Sequence, residues 1–465
     1  MNTITGQAPY APSRRDGVQV SRSADRSGSR TEDASARISR AGYAFMAVFF
    51  IVVFEGAVRK WGTAASTIPL ILLRDLIALG LVFYAWKSGS LGRYGKVTAV
   101  MTAWTCLVVA WGLFQVVAGA SSPLIFAIGV RFWLLYTWFA VAAAATLTEA
   151  DYRAAVKLAM FSLLLMAPLA VFQHNSPPGA NINRQLDGDE RFVFVAVAGV
   201  VRTTGTFSFT SGYANFVTAV APLVFGVLGA RKRGRLDWMI ALGAVAAFMV
   251  ASVVSGSRTA VLSSGLMFGA YLVGRLLFSK NRDKPAALAA VVMMLVLAAG
   301  LIFFLSDAVT VTQQRFEDAS NAENFWERVM AVFLGEATVF NAFTWIGSGI
   351  GADSNLATSL RAGATNFGLA ESEAGRILLE GGLVGLAFVA LKLFVLFVGL
   401  YKSILLSRKY HSPYPVLSWL TLLLGLMTWS AIGQLTANAL LGILFGFFLL
   451  MFRYPAGDFF PARRR

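Results

Sequence analysis

The sequence predicts an all-α, polytopic membrane protein with about twelve transmembrane helices, and three observations carry that prediction. Of its 465 residues, 57% are hydrophobic and only 14% charged, whereas a water-soluble domain carries about 25% charged residues. Apolar runs long enough to cross a bilayer, about 20 residues each, recur from Gly42 to Phe452. When these runs alternate in direction, Lys and Arg crowd the connections on one side, the pattern of the positive-inside rule. A membrane β-barrel would instead show short segments of alternating polarity separated by turns.

Residues 1–40 hold seven arginines among many Ser, Gly and Ala. With no apolar periodicity, they read as a disordered basic cytoplasmic tail. A secretory signal would need an apolar stretch after the basic residues within about the first 30 positions, and none is present there. The spans then fall at 41–58, 68–86, 97–118, 122–147, 155–173, 209–230, 236–254, 260–278, 286–306, 377–400, 415–434 and 437–452. Connections around 87–96, 153–157, 231–235, 275–284 and 402–409 are basic and face the cytoplasm, as does the basic tail 453–465. Both termini are therefore expected in the cytoplasm. The long connections 174–208 and 307–376 fall on the outer side. The second exceeds the usual connection length several-fold, which marks a functional or a disordered segment. Within it, residues 324–340 place Phe325, Val329, Phe333 and Val339 on one side, so this outer loop is expected to be partly helical.

The formal net charge of +16 raises nucleic-acid binding as a class. The basic residues, however, sit in the tails and in connections beside anionic cytoplasmic lipid, where they act as topological signals; no nucleic-acid partner is expected. Cys106 is the only cysteine and lies in an apolar run, which argues against disulfides and cysteine metal clusters. His174 and His411 are the only imidazoles, so no zinc site, and no other metal or cofactor, is expected. Asp187, Asp189 and Glu190 could gather a divalent cation, although a run of this kind is usually a solvated surface.

Charges near the spans need individual explanations. Arg131 lies inside the fourth span, where an arginine is costly unless it faces a paired or wet interior. It is either a substrate ligand or the partner of Asp75 or Glu55. Arg74 and Asp75 are adjacent and can neutralise each other. Glu55 and Arg59 have the i, i+4 spacing of a helical ion pair, so Arg59 is half of that pair or a substrate ligand. Arg202 in Val201-Arg202-Thr203-Thr204-Gly205 and Arg258 in Ser255-Gly256-Ser257-Arg258 have small or hydroxylated neighbours that let backbone approach an anion. An arginine fork bonds two phosphate oxygens and keeps its charge when buried, so paired arginines suit a pyrophosphate without a metal. Helix-end capping or lipid-headgroup contact would explain the same residues. Arg315, Arg328 and Arg376 extend the set of candidate anion ligands. Gly347, Gly349 and Gly351 follow no strand and lack a Lys-Ser/Thr pair, so they read as a tight turn and not as a nucleotide cradle. Glu371 and Glu373 flank Ser372 before the tenth span. Either carboxylate suits a general base for an attacking hydroxyl, and a helix N-terminus also favours acids for itself.

These segments together resemble the O-antigen ligase and polymerase superfamily of integral-membrane glycosyltransferases, over most of the membrane region. The ligases carry a signature of His, then Asn, Ser or Gln, nine residues, Gly, two residues, and Gly, Thr or Tyr. Ser372, Gly382 and Gly385 stand at the last three fixed points, and Glu371 occupies the histidine position. Arg202-x-x-Gly205-Thr206-Phe207 followed by Asn215, the pair Ser257-Arg258, and Arg328 ahead of the glycine trio are similar to the family's arginine-bearing loops and to the approach to its catalytic helix. Glu55-Gly56-Ala57-Val58-Arg59-Lys60-Trp61 followed by Arg74-Asp75 resembles the opening of exopolysaccharide polymerases, which favours a polymerase over a ligase.

The resemblance implies a GT-C-like fold in the bacterial inner membrane, with the active site facing the periplasm and metal-independent glycosyltransferase activity. Its substrates would be undecaprenyl-pyrophosphate-linked glycans. Arg202 and Arg258, with Arg131 or Arg328, would bind the donor pyrophosphate, and Glu371 or Glu373 would orient or deprotonate the acceptor hydroxyl. Membrane lipid, a chain-length regulator and export proteins would be partners. The alternatives are a ligase that hands a finished glycan to another acceptor and a twelve-helix transporter. Transporters usually show repeated halves with midplane sites, a pattern this sequence lacks.

Overall fold

The computed structural model describes residues 37–184, 201–230, 234–304, 337–360 and 372–455, with Phe459 and isolated positions between 306 and 317. Asp187, Asp189, Glu190, most of 324–340 and the site candidates Arg315, Arg328 and Glu371 lie outside the described residues, as do positions 1–36. The described residues from Ile38 onward belong to one compact unit.

The described secondary structure is helical, as the sequence predicts. Helix α1 spans Arg40–Ala57 and continues as a π-helical turn, Val58–Gly62. It is followed by α2 Thr67–Lys87, α3 Gly95–Val117, α4 Pro123–Thr146, α5 Glu149–Asn175, α6 Thr210–Gly229, α7 Arg235–Val253, α8 Arg258–Phe278 and α9 Lys284–Phe304. After the one-turn helices Ala337–Ala342 and Asn355–Leu360 come α10 Glu373–Gly381, α11 Leu383–Tyr410, α12 Tyr414–Thr428 and α13 Leu435–Arg453. Among the described residues ten helices are long and apolar enough to cross a membrane. Shorter apolar helices, Ala287–Gly300 within α9 and Tyr414–Thr428, stand where the ninth and eleventh spans are expected. The protein is thus a polytopic helical membrane protein.

Helix α2 shows how side-chain spacing selects the solvent. Ile68, Leu72, Leu76, Leu79 and Phe83 recur every three or four residues and are all more than half exposed, while Arg74, Ala78, Leu81 and Ala85 form the buried face. A continuous exposed apolar stripe is an aggregation hazard in water and an ordinary surface in lipid. At the centre, α6 has 89% of its apolar window buried and α13 has 67%, against 22% for α2 and for the span containing α3. Helix α13 packs along the Tyr136–Thr146 half of α4. Phe45 of α1 stacks on Phe139 at 5.4 Å and meets the edge of Phe447 at 5.5 Å, joining α1, α4 and α13.

Several expected spans differ in their bounds, and two of these differences mark breaks between helices. The tenth does not begin at 377, because Gly382 adopts φ +52 and separates α10 from α11. Leu383 N bonds Trp345 O at 2.9 Å, and a Cβ at Gly382 would strike that carbonyl. The eleventh stops at Thr428 and not at 434, since Trp429 is extended and the next residues run as irregular backbone. Its polar groups find protein partners: Ile432 N donates to Glu373 Oε2 at 3.1 Å and Gly433 O accepts from Asn355 N at 3.0 Å. Irregular backbone inside a membrane bundle requires such partners.

Candidate functional site

The connections at one end of the bundle are cross-linked into a single layer. Lys60 Nζ donates to Gly205 O at 2.7 Å, Gln115 Nε2 to Ile346 O at 2.5 Å, and Ser211 Oγ to Gln434 Oε1 at 3.4 Å. Within and just beneath this layer lie three groups of charges.

The first is a ladder joining α1, α2, α4 and α13. Arg74 Nη1 bonds Glu55 Oε1 at 2.5 Å, and its Nη2 donates to Leu435 O at 3.1 Å. Asp75 accepts from Arg131 Nε at 2.7 Å, Arg131 Nη2 at 3.1 Å and Tyr136 OH at 2.7 Å. Two acids and two arginines alternate, so the group is neutral and each charge meets its opposite. This arrangement removes Arg131 from the free cations and gives it the structural pairing that its position left open. The spacing of Glu55 and Arg59 does not produce a pair: Glu55 Oε1 is taken by Arg74 and by Thr436 Oγ1 at 3.1 Å, and a π-helical turn begins at Val58. Arg59 Nε instead donates to Thr67 Oγ1 at 2.9 Å. A second π-turn, Arg131–Leu135, interrupts α4 at Arg131 itself.

The second group consists of Arg202 and Arg258. Arg258 opens α8 behind the N-cap Ser257, whose hydroxyl accepts from Ala260 N at 3.4 Å. Arg202 lies in the buried segment leading to α6. Neither has an acid partner among the described residues, and Arg202 Nε is buried without a hydrogen-bond partner. Burial, and then the positive charge of Arg258, lower the Arg202 pKa. Arginine does not resolve such a conflict by deprotonating at neutral pH, so an anion is the natural complement of the pair.

The third group surrounds α10. Ser372 caps this helix, accepting from Gly375 N at 3.1 Å. Glu373 is 3% exposed; its Oε1 receives Lys392 Nζ at 3.2 Å and its Oε2 receives Ile432 N. Both oxygens thus anchor α11 and the irregular segment after α12. Arg376 lies in direct contact with the backbone of Gly433 and donates through Nη1 to Asp353 O at 3.4 Å. Glu380 accepts from Trp133 Nε1 at 2.9 Å, Gly351 N at 3.0 Å and Asp353 N at 2.9 Å. Burial, followed by the Asp353 carboxylate, pushes the Glu380 carboxyl up to about 8.

The glycine trio is a turn: Gly347, Gly349 and Gly351 have φ of +82, +109 and +91. Its amides are committed within the protein, Ile350 N to Gln115 Oε1 at 3.0 Å and Gly349 N to Glu380 O at 3.2 Å. The motif position Gly385 is also steric, since a Cβ there would strike Ile377 O.

Sequence reasoning missed Lys60, Gln115, Gln173, Asp353, Glu380 and Lys392 as organising residues of this layer. A signal existed for Gln115 and Lys392, each a lone polar residue in a long apolar run. Among the described residues, no three His, Cys, Asp or Glu side chains gather as a metal site. The chain matches no protein-family model and no curated protein.

Proposed function

We propose that the protein is a membrane glycosyltransferase that polymerises undecaprenyl-pyrophosphate-linked repeat units at the outer face of a bacterial inner membrane. The reading takes the ten long helices with α9 and α12 as the twelve spans of a GT-C-like bundle, both termini cytoplasmic. The observation that carries it is the Arg202–Arg258 pair, two cations without an acid partner among the described residues, beside the starts of α6 and α8. The spacing of Ser372, Gly382 and Gly385 supports it as well.

In the proposed reaction, an acceptor hydroxyl oxygen attacks the anomeric carbon of the donor glycan. The glycosidic bond forms as the bond from that carbon to pyrophosphate breaks. Arg202 and Arg258 offset the charge gathering on the leaving pyrophosphate, whose departure supplies the driving force without a nucleotide. The hydroxyl proton passes to Glu371. Glu373 is not assigned this role, because both of its oxygens are engaged. Arg315 and Arg328 are further donors for the substrates. A chain-length regulator and export proteins would receive the product.

The test supplies purified protein with lipid-linked repeat units and no nucleotide. Elongation is expected. Transfer of a finished glycan to a different acceptor would make the protein a ligase, and solute flux without glycan growth would make it a transporter.

A further inference from the structure

The segment Glu55–Trp61 takes no part in the chemistry proposed above, yet it grips the chain that carries Arg202. Lys60 is 2% exposed, and its Nζ donates to Thr204 Oγ1 at 2.8 Å and Gly205 O at 2.7 Å. A Cβ at Gly56 would come within 2.5 Å of Thr206 O and Ser208 N, so only glycine lets α1 lie against this backbone. Thr206 Oγ1 donates to Val53 O at 2.5 Å. From α5, Gln173 Oε1 accepts from Thr204 N at 3.2 Å and Gly205 N at 2.7 Å, while its Nε2 donates to Gly205 O at 3.2 Å. Thr204, Gly205 and Thr206 are therefore held from two sides, while the Arg202 side chain has no acid partner among the described residues.

This asymmetry has an electrostatic reason. Arg202 and Arg258 repel each other in the absence of an anion, and a loosely held segment would let Arg202 swing away. The two Lys60 bonds hold the segment from beneath, and a guanidinium held in place beforehand loses less on binding. Lys60 also lacks an acid partner among the described residues; its Nζ lies 4.8 Å from the Trp61 ring centroid.

We propose that Lys60 is a positioning residue of the anion site, fixing the Thr204–Gly205 turn so that Arg202 stays beside Arg258. The inference rests on reading that pair as a pyrophosphate site. In the full chain, purified in nanodiscs, the dissociation constant for inorganic pyrophosphate is measured for the wild type, Lys60→Met, Arg202→Ala and the double variant. Each single change is expected to weaken binding by about 10–100-fold. The double variant is expected to bind no more weakly than Arg202→Ala, because Lys60 acts through Arg202. Additive losses, or wild-type affinity in Lys60→Met, overturn the inference while leaving the Arg202 site standing. Pyrophosphate binding that does not depend on Arg202, or none at all, overturns both. If Lys60→Met does not fold to a monodisperse protein, Thr204→Val removes one of the acceptors and completes the same cycle.

Discussion

Arg74 and Arg131, in the ladder between α1, α2 and α4, can be set against Arg202 and Arg258 at the approaches to α6 and α8. Arg74 is fully buried and Arg131 largely so, and both are bonded to acids at 2.5 and 2.7 Å. Arg202 is about half-buried, and its nearest described electrostatic partner is another arginine. An arginine bonded to an acid completes the bundle, whereas one facing only another arginine is left to complete something outside it. The same residue type therefore marks architecture in one place and a ligand site in the other, and substitution separates the two. Arg74→Met leaves Glu55 buried without its cation and is expected to lower stability by about 3–5 kcal/mol. Denaturation in mixed micelles measures this. A loss below about 1 kcal/mol would show that the ladder does not hold the helices together.

Arg202→Ala and Arg258→Ala should behave in the opposite way. Removing one member of a like-charged pair relieves repulsion, so the melting temperature is expected to stay level or rise. Elongation is expected to fall by about 10²–10³-fold, the usual cost of losing a donor aimed at developing negative charge. A variant that melts early and retains elongation would place Arg202 or Arg258 with the structural arginines. An intermediate case is Glu373→Gln, which weakens the bond to Lys392 and is expected to cost about 1–3 kcal/mol of stability with elongation retained. Loss of product at unchanged stability would make Glu373 a chemical participant and merge the two classes at α10.

The division between these regions was only partly legible in the sequence. Apolar length and basic connections located most of the helices, because crossing a bilayer imposes them residue by residue. The partners of the charges were another matter. Glu55 and Arg59 satisfy the helical spacing rule, but the actual partner of Glu55, Arg74, comes from the next helix. Glu373 reads as a candidate base until Lys392 and the backbone of Ile432 are brought to it by folding. Arg202 and Arg258 were recognisable from their small neighbours, yet the feature that distinguishes them, the lack of a described acid beside them, exists only in three dimensions. The break at Gly382 was hidden because a glycine before an apolar run also fits an uninterrupted span.

Glu380 offers the sharpest small test, since it mirrors Arg202 with the sign reversed. It is a buried acid with no cationic partner among the described residues, held by three N–H donors. A carboxylate can respond to burial by keeping a proton, which a guanidinium cannot do by losing one at neutral pH. Its pKa is accordingly raised from 4.5 to about 8. A carboxyl whose pKa is higher in the folded state than in the unfolded chain stabilises the fold fully below the unfolded value. That contribution is lost as pH rises through the folded value. Between pH 4.5 and about 8, stability is therefore expected to decline with pH, by at most about 1.4 kcal/mol per unit from this one group. Glu380→Gln should flatten this slope in micelle denaturation series run across the same window. If the wild type instead gains stability with pH there, and the variant does not, Glu380 is held ionised by its three donors. Burial without a counter-charge would then no longer separate an acid that takes up a proton from an arginine that must take up an anion.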